Sequence, residues 1–132
     1  MSEGELDDLS GNGRLVLLVE DDERVSESVS LYLRRYGYEI RIAYDAEEAL
    51  NLVLEDNVRP DMLITDAVLP GMSGMELVEK LEQTDIQVPV LITSGYTAAE
   101  ILQQDVIEKG IPFIRKPFKP RELLKIMKTI LP

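Results

Sequence analysis

Five short runs of aliphatic and β-branched residues punctuate the chain, at 15–19, 38–43, 62–65, 88–92 and 111–114. Successive runs begin 23 to 26 residues apart, the length of a strand, a helix and their two loops. Between the runs the apolar residues recur at the helical period. They are Val25, Val29, Tyr32, Leu33 and Tyr36, then Ala46, Ala49, Leu50, Val53 and Leu54, then Leu77, Val78 and Leu81. Ala98, Ile101 and Leu102 mark a fourth helix, and Leu123, Met127, Ile130 and Leu131 a fifth. Asp22 and Asp45 stand where N-caps belong, Gly37 and Gly110 where helices end, and Pro120 at a first helical turn.

The first, third and fourth runs are almost wholly apolar, as parallel strands covered on both faces must be, whereas the second alternates Ile40 and Ile42 with Glu39 and Arg41, like an edge strand. The pattern predicts an α/β fold, a doubly wound, five-stranded parallel sheet with helices on both faces. It occupies residues 14–132. Residues 1–13 carry Glu3, Glu5, Asp7 and Asp8 with three glycines and little to bury, and are expected to form a flexible acidic tail or linker.

With 132 residues the chain has room for one domain. Its net charge of −11 disfavours phosphate backbones and anionic lipid as partners, and its longest apolar run falls far short of a membrane span. A cytoplasmic protein is the expectation. The absence of His and Cys removes Ser-His-Asp and Cys-His nucleophilic pairs, disulfides and the usual zinc sites. Chemistry is left to carboxylates, hydroxyls, amines and a hard cation.

In doubly wound sheets ligands bind beyond the carboxyl ends of the strands. Glu20, Asp21 and Asp22 follow the first run, Asp66 the third, Thr93 and Ser94 the fourth, and Lys116 the fifth. Several carboxylates, a hydroxyl and one amine on a single rim suit a divalent cation and a phosphoryl group. Asp22 is better read as a helix cap than as a site residue. Glu20 and Asp21 read the other way, because crowded acids repel one another unless a cation compensates them. Ser94 taken alone is an ordinary turn signal and Lys116 an ordinary surface charge; their joint placement at strand ends carries the inference.

The motifs LLVEDDE, ITDAVLPGMSGMEL, PVLITSGY and FIRKPF occur in that order over residues 14–131. Together they make the chain resemble the receiver domain of two-component response regulators. That resemblance implies the flavodoxin-like strand order 2-1-3-4-5, which brings Asp21 and Asp66 together. It implies Asp66 as the phosphoacceptor, taking its phosphoryl group from a phosphohistidine on a sensor histidine kinase or a histidine phosphotransfer protein. Mg²⁺ would be held by Asp21, Glu20, Asp66 and the backbone carbonyl of Val68, with Glu20 standing where many relatives have Asp.

Lys116 would pair with a phosphoryl oxygen, ahead of a cis bond to Pro117. Ser94 and Phe113 would act as switch residues, and Val68 and Tyr96 would set the phosphoryl lifetime, their bulk predicting slow self-dephosphorylation. The readout would be the surface formed by the fourth helix, fifth strand and fifth helix. A pseudo-receiver that binds partners without phosphorylation is the alternative. Flavin binding is opposed by the acids after the first run, and metal-dependent nucleic-acid chemistry by the missing second acid after Asp66 and by the net charge. Parent protein, pathway and the choice between monomer and weak dimer stay open, including origin in a hybrid kinase.

Overall fold

The computed structural model describes residues 9–95 and 108–132. Its elements run β1 (Leu15–Val19), α1 (Glu23–Arg35), β2 (Glu39–Ala43), α2 (Ala46–Leu54), β3 (Met62–Asp66), α3 (Gly74–Glu82), β4 (Val90–Ser94), β5 (Phe113–Arg115) and α4 (Pro120–Ile130). The helix expected around Ile101 lies outside the described residues, so α4 is the fifth helix of the sequence pattern.

All strand pairs are parallel and the order is β2-β1-β3-β4-β5. The second run is indeed an edge. Alternation along β1 divides the core between two faces: Leu17 and Val19 pack with Ala49 and Val53 of α2 and Leu77 and Leu81 of α3, while Val16 and Leu18 pack with Leu33 of α1 and Leu123, Leu124 and Met127 of α4. Among the described residues two helices lie on each side of the one sheet, making three layers, each fully buried aliphatic side chain contributing about 1.5–3 kcal/mol.

The strands differ from the apolar runs in a consistent way. The runs at 88–92 and 111–114 start early, whereas β4 and β5 begin one residue after Pro89 and Pro112. Proline has no N–H for the ladder, yet its carbonyl still accepts, from Leu63 for Pro89 and from Ile92 for Pro112. Asp22 caps α1, its Oδ1 accepting from the N–H groups of Arg24 and Val25 at 2.9 and 3.3 Å, and Asp45 caps α2 through Glu48.

Residues 9–13, placed outside the fold on composition, are docked on it. The Gly11 N–H donates to the Tyr36 carbonyl at 2.6 Å and the Gly13 N–H to that of Gly37 at 2.7 Å. Leu9 is buried in the cluster that contains Leu33 and Met127. Gly11 lies so close to the Tyr38 ring that a Cβ there would collide with it. One leucine and one glycine make this contact, too few to register as a period in an acidic segment.

Candidate functional site

Backbone hydrogen bonds carry three of the strand ends one residue further than the strands themselves. The Glu20 N–H donates to the Ala43 carbonyl at 3.0 Å, that of Ala67 to Thr93 at 2.8 Å, and that of Lys116 to Ser94 at 2.8 Å. The sheet thereby sets where the side chains of Glu20, Asp66 and Lys116 leave the backbone. They converge over β1 and β3, the strands that the observed order puts side by side.

The Lys116 Nζ donates to Glu20 Oε1 at 2.6 Å and to Asp66 Oδ2 at 2.8 Å. Asp66 Oδ1 accepts from the Val68 N–H at 3.1 Å, so the turn after β3 is held by the same carboxylate that faces the lysine. Glu20, Asp21 and Asp66 each offer a carboxylate oxygen, all within 4.8 Å of one another. Asp21 is exposed, Asp66 is partly buried and Glu20 is 3% exposed. The second Glu20 oxygen, Oε2, is buried with no hydrogen-bond partner.

These contacts shift the acid–base balance of the site. Burial raises the Glu20 carboxyl to about 7, against the opposing pull of Lys116 and with a further push from Asp66. Burial works to lower the Lys116 ammonium, but hydrogen bonds and charge from Asp66 and Glu20 more than reverse this and raise it. The site is short of positive charge: one ammonium faces three acids. Three clustered carboxylates and a buried oxygen without a partner fit a hard, oxygen-seeking divalent cation such as Mg²⁺. An unpaired buried carboxylate oxygen is otherwise a net cost.

Ser94 is buried at the end of β4. Phe113 opposite Ile92 is partly buried against the α2–α3 cluster. Val68 is 50% exposed beside Asp66. The Lys116–Pro117 peptide is cis. Tyr96 lies outside the described residues. Asp22 is accounted for as a helix cap.

One contributor was missed in the sequence. Gly74 opens α3 with its N–H donating to the Ala67 carbonyl at 3.1 Å, and a Cβ on it would overlap the carbonyl oxygen of Asp66. A glycine in a first helical turn, where it is a poor helix former, was the available signal.

A groove of about 720 Å³ runs from Lys116 and Gly95 between α1 and the start of α4. Val29, Tyr32 and Phe118 line it, with Arg24 and Arg35 adding positive charge. Among the described residues no helix is long and apolar enough to cross a membrane.

Comparison with known proteins converges on one description. The family pattern of the response regulator receiver domain matches residues 16–128. Response regulator MprA of Mycobacterium avium (strain 104) is 34% identical over 116 residues, covering 88% of this chain and 50% of the relative. The chain thus spans about half the length of the curated relatives it matches. A protein described as a response regulator from Chloroflexus aurantiacus superposes with a TM-score of 0.78 at 36% identity, covering 90% of this chain and 98% of that one. A response regulator receiver domain protein from Clostridium thermocellum shares the fold, with a TM-score of 0.81 at 21% identity over 89% of this chain and 94% of that one.

Proposed function

Because this chain belongs to the response regulator receiver domain family, we propose that it accepts a phosphoryl group on Asp66 from a phosphohistidine of a sensor kinase or phosphotransfer protein, in the cytoplasm. The observation that carries the reading is the pair of contacts from Lys116 to Glu20 and Asp66, with Asp21 in reach of the same point.

An Asp66 carboxylate oxygen attacks phosphorus, an O–P bond forms, and the N–P bond of the donor breaks with its electron pair returning to the imidazole nitrogen. The Val68 N–H holds the other carboxylate oxygen and so orients the nucleophile. The Lys116 ammonium neutralises charge on the transferring oxygens, which is most of what a loose transition state requires. Glu20, Asp21, Asp66 and the Val68 carbonyl would hold Mg²⁺, which supplies Lewis-acid charge to the phosphoryl oxygens.

In this reading the donor protein seats in the groove that ends at Lys116. The Ser94 hydroxyl turns toward the phosphoryl group and Phe113 follows, changing the surface formed by β5 and α4. Val68, exposed beside the acceptor, hinders water and slows hydrolysis, as Tyr96 would.

Incubation with acetyl phosphate and Mg²⁺, followed by mass spectrometry, tests the reading. One phosphoryl group is expected on Asp66 and none on Asp66→Asn. A folded native protein that gains no mass under these conditions is instead a partner-binding module.

A further inference from the structure

Helix α1 is patterned unlike a helix that serves only to pack on a sheet. Ser26 and Ser30 are buried, the Ser30 hydroxyl without a partner, while the larger Val25, Val29 and Tyr32 stay partly exposed. Leu31 is 56% exposed on the same helix. All four apolar residues line the groove of about 720 Å³ between α1 and the start of α4, and Phe118 joins them from the α4 side. That volume falls inside the range of roughly 300–1,000 Å³ typical of pockets for small molecules. Contiguous apolar surface of this kind marks a place where something binds, because water is a poor cover for it.

The charge of the groove runs against that of the protein. The sequence holds 25 acidic residues and a net charge of −11, yet among the described residues no acid lines the groove and three cations do. One of them, Lys116, is held by Glu20 and Asp66. Arg24 follows Asp22 and Glu23, which offset it. Arg35 follows Arg34 in the last turn of α1, eleven positions and about 16 Å along the axis from Arg24. The positive end of the groove is therefore the Arg35 end, away from the carboxylates of the site. At physiological salt, charges further off than about 8 Å are largely screened, so an anion in the groove meets Arg35 rather than the net charge.

We propose that this groove binds one molecule of a free single-chain amphiphile with an anionic head, its tail lying along Val25, Val29, Tyr32 and Phe118 and its head meeting Arg35. Lipid within a bilayer is another source of the same chemistry. It is disfavoured because a protein of net charge −11 is repelled by an anionic surface many charges wide. The binding is independent of the acceptor reading. Its consequence rests on that reading: a bound amphiphile occupies the seat of the donor protein, so the two exclude one another.

The test is titration of the ¹⁵N-labelled full chain with dodecanoate, kept below its micelle concentration and followed by amide chemical shifts. Saturable one-to-one binding is expected, with the largest shifts at Val25, Val29, Tyr32 and Phe118. Arg35→Glu, which replaces attraction by repulsion, should weaken it about tenfold, and uncharged dodecanol should bind the native protein as weakly. Shifts that fail to saturate, or that scatter over the surface, overturn the proposal. So does undiminished binding by Arg35→Glu, or equal binding of dodecanol or dodecyltrimethylammonium by the native protein. Sedimentation with anionic phospholipid vesicles is expected to leave the protein in the supernatant; pelleting with them would move the recognised surface to a membrane and overturn the free ligand. Acetyl phosphate labelling of the same samples keeps the two readings apart: saturable binding without an adduct on Asp66 supports the groove ligand and removes only the proposed acceptor role.

Discussion

Among the described residues three buried side-chain polar atoms, on Glu20, Ser30 and Tyr38, have no partner, and the two that lie at opposite rims of the sheet, on Glu20 and Tyr38, mean different things. At the carboxyl rim the atom is Glu20 Oε2, which lies in a cluster with Asp21, Asp66 and Lys116. At the amino rim it is the Tyr38 hydroxyl, buried under Gly11 with Leu9 in the same apolar cluster. A lone unpaired atom is only a cost of packing. It becomes a sign of chemistry when other groups of like charge converge on it. The carboxyl rim meets that condition and the amino rim does not.

The largest expected effect falls on the carboxyl rim. Asp66→Asn should abolish phosphoryl uptake from acetyl phosphate while leaving the circular dichroism spectrum unchanged. Uptake that persists, mapped by peptide mass spectrometry to another residue, would break the contrast. Next comes Gly74→Ala, whose new methyl overlaps the Asp66 carbonyl. It should cost on the order of 3 kcal/mol in urea denaturation and slow phosphorylation as well, because the backbone that yields is the acceptor's own.

Leu9→Ala should cost about 2 kcal/mol, or roughly 8 °C in melting temperature, and leave the phosphorylation rate as it is. A rate that falls with it would tie the two rims together. The smallest effect belongs to Tyr38→Phe, which removes the unpaired hydroxyl and should leave stability unchanged or raise it by up to about 1 kcal/mol. A clear loss of stability would show that the hydroxyl has a partner and would weaken the contrast from the amino side.

Much of this was legible before any coordinates. The positions of the apolar runs located five strands, and the helical periods located the four described helices, because burial on both faces of a parallel sheet leaves a strong mark on composition. Strand order came from the resemblance, since equal spacing of units carries no information on which strands are neighbours. Asp66, Asp21 and Lys116 could be picked out because each follows an apolar run at the rim where ligands collect.

What could not be read depends on contacts between distant residues. The hydrogen bond from Lys116 to Glu20 has no local signature, and the close approach of Gly74 to Asp66 shows only as a glycine where a helix would rather have another residue. The docking of Leu9 failed to appear for the opposite reason: its surroundings are so acidic that a single apolar residue was outweighed by composition.

The last main-chain bond of the β4–β5 ladder joins the Lys116 N–H to the Ser94 carbonyl. The cationic arm and the hydroxyl-bearing residue are thus yoked through one rung. A pull on either strand tip tugs the other, and the sheet's stiffness passes that displacement along instead of absorbing it.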